Sequence, residues 1–156
     1  MIKSYRICSA KYGKTSEDAF SGFGAKNFPG RWNNQGVSIV YTAENLSLAI
    51  LEMLVHLDKT MRCLSYVYFE VKASDDMVYN LPPNELPKAW NVYPAPPATK
   101  RIGDQWAAGM SSLIMRVPSV LTTPLEHTFL INPNHDDFKR LEINGPSPIP
   151  FDLRFK

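Results

Sequence analysis

Four residues of this chain combine a reactive type with a telling context: Arg31, Tyr41, Glu52 and Ser119. Glu52 sits in Ala49-Ile50-Leu51-Glu52-Met53-Leu54-Val55, the middle of an apolar run. Stripping a carboxylate of water costs several kcal/mol, so one in such a place needs a partner or a task. His56, one helical turn on, could be that partner. On pattern alone a structural Glu–His or Glu–Arg pair weighs as much as a functional carboxylate. Arg31 lies in Pro29-Gly30-Arg31-Trp32-Asn33, where glycine permits close backbone approach. The guanidinium adds a planar, permanently charged fork that suits phosphate or carboxylate capture. A lone loop arginine more often faces solvent, and Trp32 more often anchors a core than cradles a ligand.

Tyr41 ends a strand-like run just before a helix. Its ring either fills core with the hydroxyl at the rim, or stacks on an aromatic ligand at a cleft mouth. Ser119, in Val117-Pro118-Ser119-Val120, lacks the G-x-S-x-G surroundings of a nucleophile and reads as a hydrogen-bonding hydroxyl. Asn132, in Asn132-Pro133-Asn134-His135, reads first as a turn residue.

Other chemistries find no support. There is no Walker loop and no G-x-G-x-x-G fingerprint. His56, His127 and His135 show no H-E-x-x-H spacing, and Cys8 and Cys63 are far apart in no CxxC pattern. Neither a metal site, a prosthetic group nor a disulfide framework is expected.

These residues need elements to position them. Residues 20–36 are rich in Gly and Asn and read as an irregular loop. Val37-Ser38-Ile39-Val40-Tyr41 is a β-branched run typical of a strand, and Thr42 or Asn45 can cap the helix that follows. Leu46 to Leu57 carries apolar residues at helical spacing and so widely that a buried helix is expected. Residues 63–71 read as a strand. Six prolines between 82 and 97 predict an ordered surface excursion. Asp104 to Ser111 reads as a short helix capped by Asp104. Leu113–Val117, His127–Ile131 and Phe138–Ile143 are strand candidates, and Phe151-Asp152-Leu153-Arg154 reads as an added edge strand. Strands outnumber helices without alternating with them, which predicts an α+β fold in one domain over residues 1–156.

The 156 residues, 44% hydrophobic and 21% charged, suit a folded globular chain. A net charge of +2 with scattered basic residues argues against nucleic-acid binding. No signal-like N-terminus and no stretch of ~20 apolar residues is present, so no membrane span and a cytoplasmic location are expected.

Taken in order, the segments resemble the RES domain, a family named for an Arg, a Glu and a Ser. Tyr5-Arg6, Gly22-Phe23-Gly24-Ala25 and Gly30-Arg31-Trp32-Asn33 match its first block. Val40-Tyr41-Thr42-Ala43 with Leu48-Ala49-Ile50-Leu51-Glu52 matches the second. Val117-Pro118-Ser119, Leu130-Ile131-Asn132-Pro133-Asn134-His135 and Phe151-Asp152-Leu153-Arg154 match the third. Pro29 stands where the family more often has a second glycine.

The resemblance implies a fold similar to ADP-ribosyltransferases, with NAD as a substrate that is consumed rather than a bound cofactor. It implies a toxin restrained by an antitoxin with an Xre-like helix-turn-helix domain, and a homodimer within that complex is a further expectation. Arg31, Tyr41, Glu52 and Ser119 would line the NAD pocket, with Asn132 a weaker candidate. Water, phosphate or a protein side chain could accept the ADP-ribosyl group. Two rival readings remain: a mono-ADP-ribosyltransferase acting on a protein, and a non-catalytic nucleotide-binding domain.

Overall fold

The computed structural model describes residues 1–57, 65–149, 151, 152 and 154. Its longest ladder joins β1 (Ile2–Ser9) to β3 (Tyr66–Ala73), antiparallel from Ile2 opposite Ala73 to Ser9 opposite Tyr66. The other strands are β2 (Val40–Ala43), β4 (Val78–Asn80), β5 (Ile114–Pro118), β6 (His127–Ile131) and β7 (Glu142–Pro148). They form one sheet in the order β4-β5-β6-β2-β1-β3-β7, mixed because β4 and β5 run parallel. The helices are α1 (Ser16–Ala19), α2 (Phe23–Asn27), α3 (Leu46–His56) and α4 (Pro97–Gly109). This is the expected α+β class.

Alternation along the strands sorts side chains to two faces. Val40, Phe69, Val71, Ile114, Phe129 and Ile131 pack with Ala19 and Phe20 on one face. Met115, Val117 and Leu130 pack on the other with Trp32, Ile39, Leu81 and Trp106 of α4. Beside them, Leu48 and Ala49 of α3 bury against Ala43, Tyr5 and Ile7. Each large side chain fully buried in these clusters contributes roughly 1.5–3 kcal/mol.

The sheet has a thin place. β1 and β2 share the single register pair Tyr5–Ala43. Beyond it, Arg6 Nη1 donates to the Tyr41 carbonyl at 3.2 Å, with the guanidinium 5.9 Å over the Phe20 ring. A side chain thus satisfies a carbonyl that lacks a strand partner.

Several elements differ from those read in the sequence. The 20–36 segment contains the short helix α2 rather than loop throughout. The strand expected at Val37–Tyr41 begins at Val40 and runs to Ala43, because its pairing with β6 extends from Val40–Ile131 to Ala43–Thr128. α3 starts as expected, with Asn45 Oδ1 accepting from the Leu48 N–H at 2.8 Å. It is not a buried helix, however: only Leu48 and Ala49 are buried, while Leu51 and Val55 are exposed.

Asp104 does not cap a helix. α4 begins seven residues earlier with Pro97 in its first turn, where a missing N–H costs nothing. Phe138–Ile143 divides into a 3-10 turn, Asp136–Arg140, and the start of β7. At the C-terminus Phe151 and Asp152 lie outside any strand and Arg154 is in a turn, with Leu153 outside the described residues. Cys63 and the start of the 63–71 strand also lie outside them. No helix among the described residues is long and apolar enough to cross a membrane.

Candidate active site

The loop before β2 is built around Asn33, which is fully buried. Its Oδ1 accepts from the Gly30 N–H at 2.9 Å and from the Tyr41 hydroxyl at 2.7 Å. Its Nδ2 donates to the carbonyls of Ala25, Asn34 and Val37. The Tyr41 hydroxyl in turn accepts from the Trp32 N–H at 3.0 Å. Burial pushes this phenol well above its usual range, so it remains a neutral donor. Gly30 lies against the same ring, and a Cβ there would stand 2.7 Å from Tyr41 Cζ.

Tyr41 is therefore a pillar under the arginine loop with its hydroxyl fully engaged. Replacing Asn33 by Ala strands the Gly30 amide and the Tyr41 hydroxyl. We expect a loss on the order of 3 kcal/mol by urea unfolding, against about 1 for Tyr41→Phe. A loss below about 0.5 kcal/mol for Asn33→Ala would remove Asn33 from this role.

Helix α4 grips the same loop from outside. Thr99 Oγ1 donates to the Arg31 carbonyl at 2.8 Å. Asp104 accepts from the Asn34 backbone N–H at 3.0 Å and from its side-chain amide at 2.7 Å. Between them Gly103 presses on the Trp32 carbonyl so closely that a Cβ would overlap its oxygen. The sequence alone assigns none of Asn33, Thr99, Gly103 and Asp104 this role of holding the arginine loop; it offers Asn33 only as a motif position and Asp104 only as a helix cap. The N-terminal Pro97 was the available signal for a helix long enough to carry the last three.

With its backbone held, the Arg31 side chain points to the proline-rich excursion. Nη1 donates to the carbonyls of Trp90 and Val92 at 2.7 and 2.8 Å. Ala89, just before Trp90, takes a left-handed φ of 55° that favours glycine, so this turn is locally strained. Both Arg31 side-chain hydrogen bonds run through Nη1, and among the described residues Nε and Nη2 have no hydrogen-bond partner. Burial draws the guanidinium pKa down and the charge of Glu52 draws it back up. Arginine remains charged under any working condition.

Glu52 is half-buried on α3 and accepts from the Ser119 hydroxyl at 3.0 Å. His56 is not its partner. Ser119, 1% exposed at the end of β5, also accepts from the Leu121 N–H through Oγ. No ion pair joins Glu52 to Arg31 among the described residues, although each lies within the other's field. The structure thus joins Glu52 to Ser119 and Tyr41 to the arginine loop, with the charge of Glu52 acting on Arg31.

Asn132 does not join them. It follows β6 beside Leu113, whereas Ser119 leaves β5 beside the start of β6. Its amide is spent locally, donating to Ala107 O and Met110 Sδ and accepting from the Asn134 N–H. No group of acidic, His and Cys side chains among the described residues could hold a metal ion.

Comparison with known proteins agrees in kind. A family model described as the RES domain matches residues 3–154. The chain is 36% identical over 153 residues to a protein named Toxin Res from Yersinia enterocolitica, the match covering 97% of this chain and 98% of the relative. It is 38% identical over 128 residues, 80% of this chain and 79% of the relative, to a Sphingobium protein named Prs ADP-ribosylating toxin. A Photorhabdus laumondii protein named Toxin Res is 34% identical over 136 residues, 87% of this chain and 85% of the relative.

Proposed function

The chain belongs to the RES-domain family, and from that membership we propose that it is a toxin that depletes NAD by cleaving the nicotinamide–ribose bond. The observation that carries this reading is that Arg31 and Glu52 are each held by neutral partners and form no ion pair with one another among the described residues. Here Nη1 is tied back to two carbonyls and Glu52 to Ser119, so the fork and the carboxylate stay apart, ready for a ligand carrying both charge signs.

NAD is such a ligand. Leaving of nicotinamide generates an oxocarbenium-like ribosyl cation, as glycoside cleavage does. Glu52 stabilises that charge and accepts from a ribose hydroxyl, with Ser119 fixing its rotamer. Nε and Nη2 of Arg31 grip the pyrophosphate. Tyr41 supplies the half-buried ring against which nicotinamide packs, and Asn132 takes no part. Nicotinamide departs neutral, so no strong general acid is required. Water as acceptor yields ADP-ribose, and phosphate yields its phosphorylated form.

A second reading, modification of a protein, is favoured by the name of the Sphingobium relative, an ADP-ribosylating toxin. The antitoxin is proposed from the family, as an Xre-like helix-turn-helix protein. Exposed Phe28, Val92 and Tyr93 beside the arginine loop, with Leu51 and Val55 on α3, are apolar surface such a partner would cover.

The test is nicotinamide release from NAD by the purified chain, with and without phosphate, alongside a search for label on protein. Release accelerated by phosphate, with none of the label on protein, supports phosphorolysis. Arg31→Ala should raise KM at least about tenfold, as expected for losing charge-assisted hydrogen bonds. Binding of NAD without any turnover would leave a non-catalytic nucleotide-binding domain.

A further inference from the structure

A cavity of about 400 Å³ lies beside the site, at the end of β4, β5 and β6. Its walls include Asn80, Leu81, Leu86, Trp90, Arg116 and His127. It shares structure with the site at two points. The Trp90 carbonyl holds Arg31, and Pro118 on the cavity wall directly precedes Ser119. The cavity and the site are therefore neighbours, the arrangement that the two ends of an elongated ligand require.

The wall chemistry selects among ligands. An anion is poorly served, because Arg116 is already beside Glu44, with Nη2 3.6 Å from Oε1. Glu44 also accepts from the His127 N–H and lies 3.0 Å from its Nδ1, so a phosphate would meet a carboxylate. A flat heterocycle is well served. Trp90 offers an aromatic face, Leu81 and Leu86 offer apolar walls, and such surfaces hold bases by stacking. Asn80 is exposed, and neither its amide nor Nε2 of His127 has a hydrogen-bond partner among the described residues. An asparagine amide pairs with one edge of adenine through two bonds, accepting from the exocyclic amine while donating to the adjacent ring nitrogen.

We propose that this cavity is the subsite for the adenine end of the substrate, an inference that rests on the reading of NAD as that substrate. Asn80 reads the base edge, Trp90 stacks on the ring, and the pyrophosphate crosses to Arg31. Trp90 thereby serves twice, through its ring in one compartment and its carbonyl in the other.

Two exposed wall positions test this without disturbing the core: Asn80→Ala removes the amide, and Thr123→Phe fills the mouth. Adenosine monophosphate is titrated against tryptophan fluorescence, which requires no turnover. Nicotinamide release is then compared between NAD and nicotinamide mononucleotide, which lacks the adenylate. Saturable quenching that weakens about tenfold in both variants is expected, together with a similar fall in the preference for NAD over the mononucleotide.

Absence of quenching, or quenching that neither variant changes, overturns the subsite. So does an unaltered preference with both substrates slowed alike, which would put nicotinamide in the cavity instead. If the nucleotide binds as described but the wild type releases no nicotinamide from NAD, the adenine pocket stands and the NAD-cleaving reading is what fails.

Discussion

Glu52→Gln is expected to release nicotinamide from NAD at least about a hundredfold more slowly than the wild type, with its unfolding midpoint unchanged. The substitution is nearly isosteric, and the glutamine carbonyl can still accept from the Ser119 hydroxyl now bonded to Oε1. What it removes is the negative charge opposite Arg31. A preorganised charge aimed at a developing cation is commonly worth a factor of about 10² to 10³ in rate. Ser119→Ala serves as the companion: it leaves the charge but frees the rotamer, so its effect should be smaller. Full activity in Glu52→Gln would exclude the carboxylate from the chemistry and, with it, the mechanism proposed for this family member.

Gly103→Ala is expected to destabilise the fold by about 2 kcal/mol and to lower activity as well. Helix propensity argues the other way, since alanine in a helix interior gains roughly 0.5–1 kcal/mol over glycine. Sterics decide the sign. The added methyl would overlap the Trp32 carbonyl oxygen, a backbone atom that no rotamer change can move aside. Overpacking of this kind costs typically 1–3 kcal/mol, and relief requires α4 and the 31–34 loop to separate. Arg31 is the neighbouring residue, and its carbonyl is held by Thr99 of the same helix, so KM should rise with the loss of stability. Gly109, with nothing within 4 Å of a Cβ, is the control, and Gly109→Ala should be neutral or mildly stabilising. Urea unfolding of the two variants settles it: a stability gain at position 103 would show that the contact yields.

What the sequence made legible was local. Helix α3 could be placed because its cap and its first apolar positions lie within a few residues of one another, and β6 because a β-branched and aromatic run stands between turn residues. The grouping of Arg31, Tyr41, Glu52 and Ser119 entered through family resemblance; no spacing rule joins residues so far apart. Errors arose where a distant partner decides. β2 takes its bounds from pairing with β6, which a window around residue 40 cannot register. α4 was cut short because prolines 94, 96 and 97 read as excursion, although a proline in the first helical turn is a start signal. The apolar breadth of α3 suggested burial, yet only the Leu48–Ala49 side meets the sheet. Asn33 was visible only as a motif letter, since nothing in a sequence says that one amide will satisfy five backbone and hydroxyl groups.

The single register pair between β1 and β2 has a mechanical meaning. A full ladder ties two strands along their length, whereas this seam is held by one register pair, the Arg6 guanidinium on the Tyr41 carbonyl and the buried Thr42–Ser4 hydroxyl bond. Backbone pairing is continuous within β4-β5-β6-β2 and within β1-β3-β7 and sparse only between them, so a shear of the sheet would concentrate at the β1–β2 seam. Arg31, Tyr41 and Ser119 all lie on the β2 side of it, but α3 rests on both sides, through Ala43 on one and Tyr5 and Ile7 on the other. Glu52 is carried by the helix that bridges this seam, so such a shear would shift Glu52 relative to Arg31.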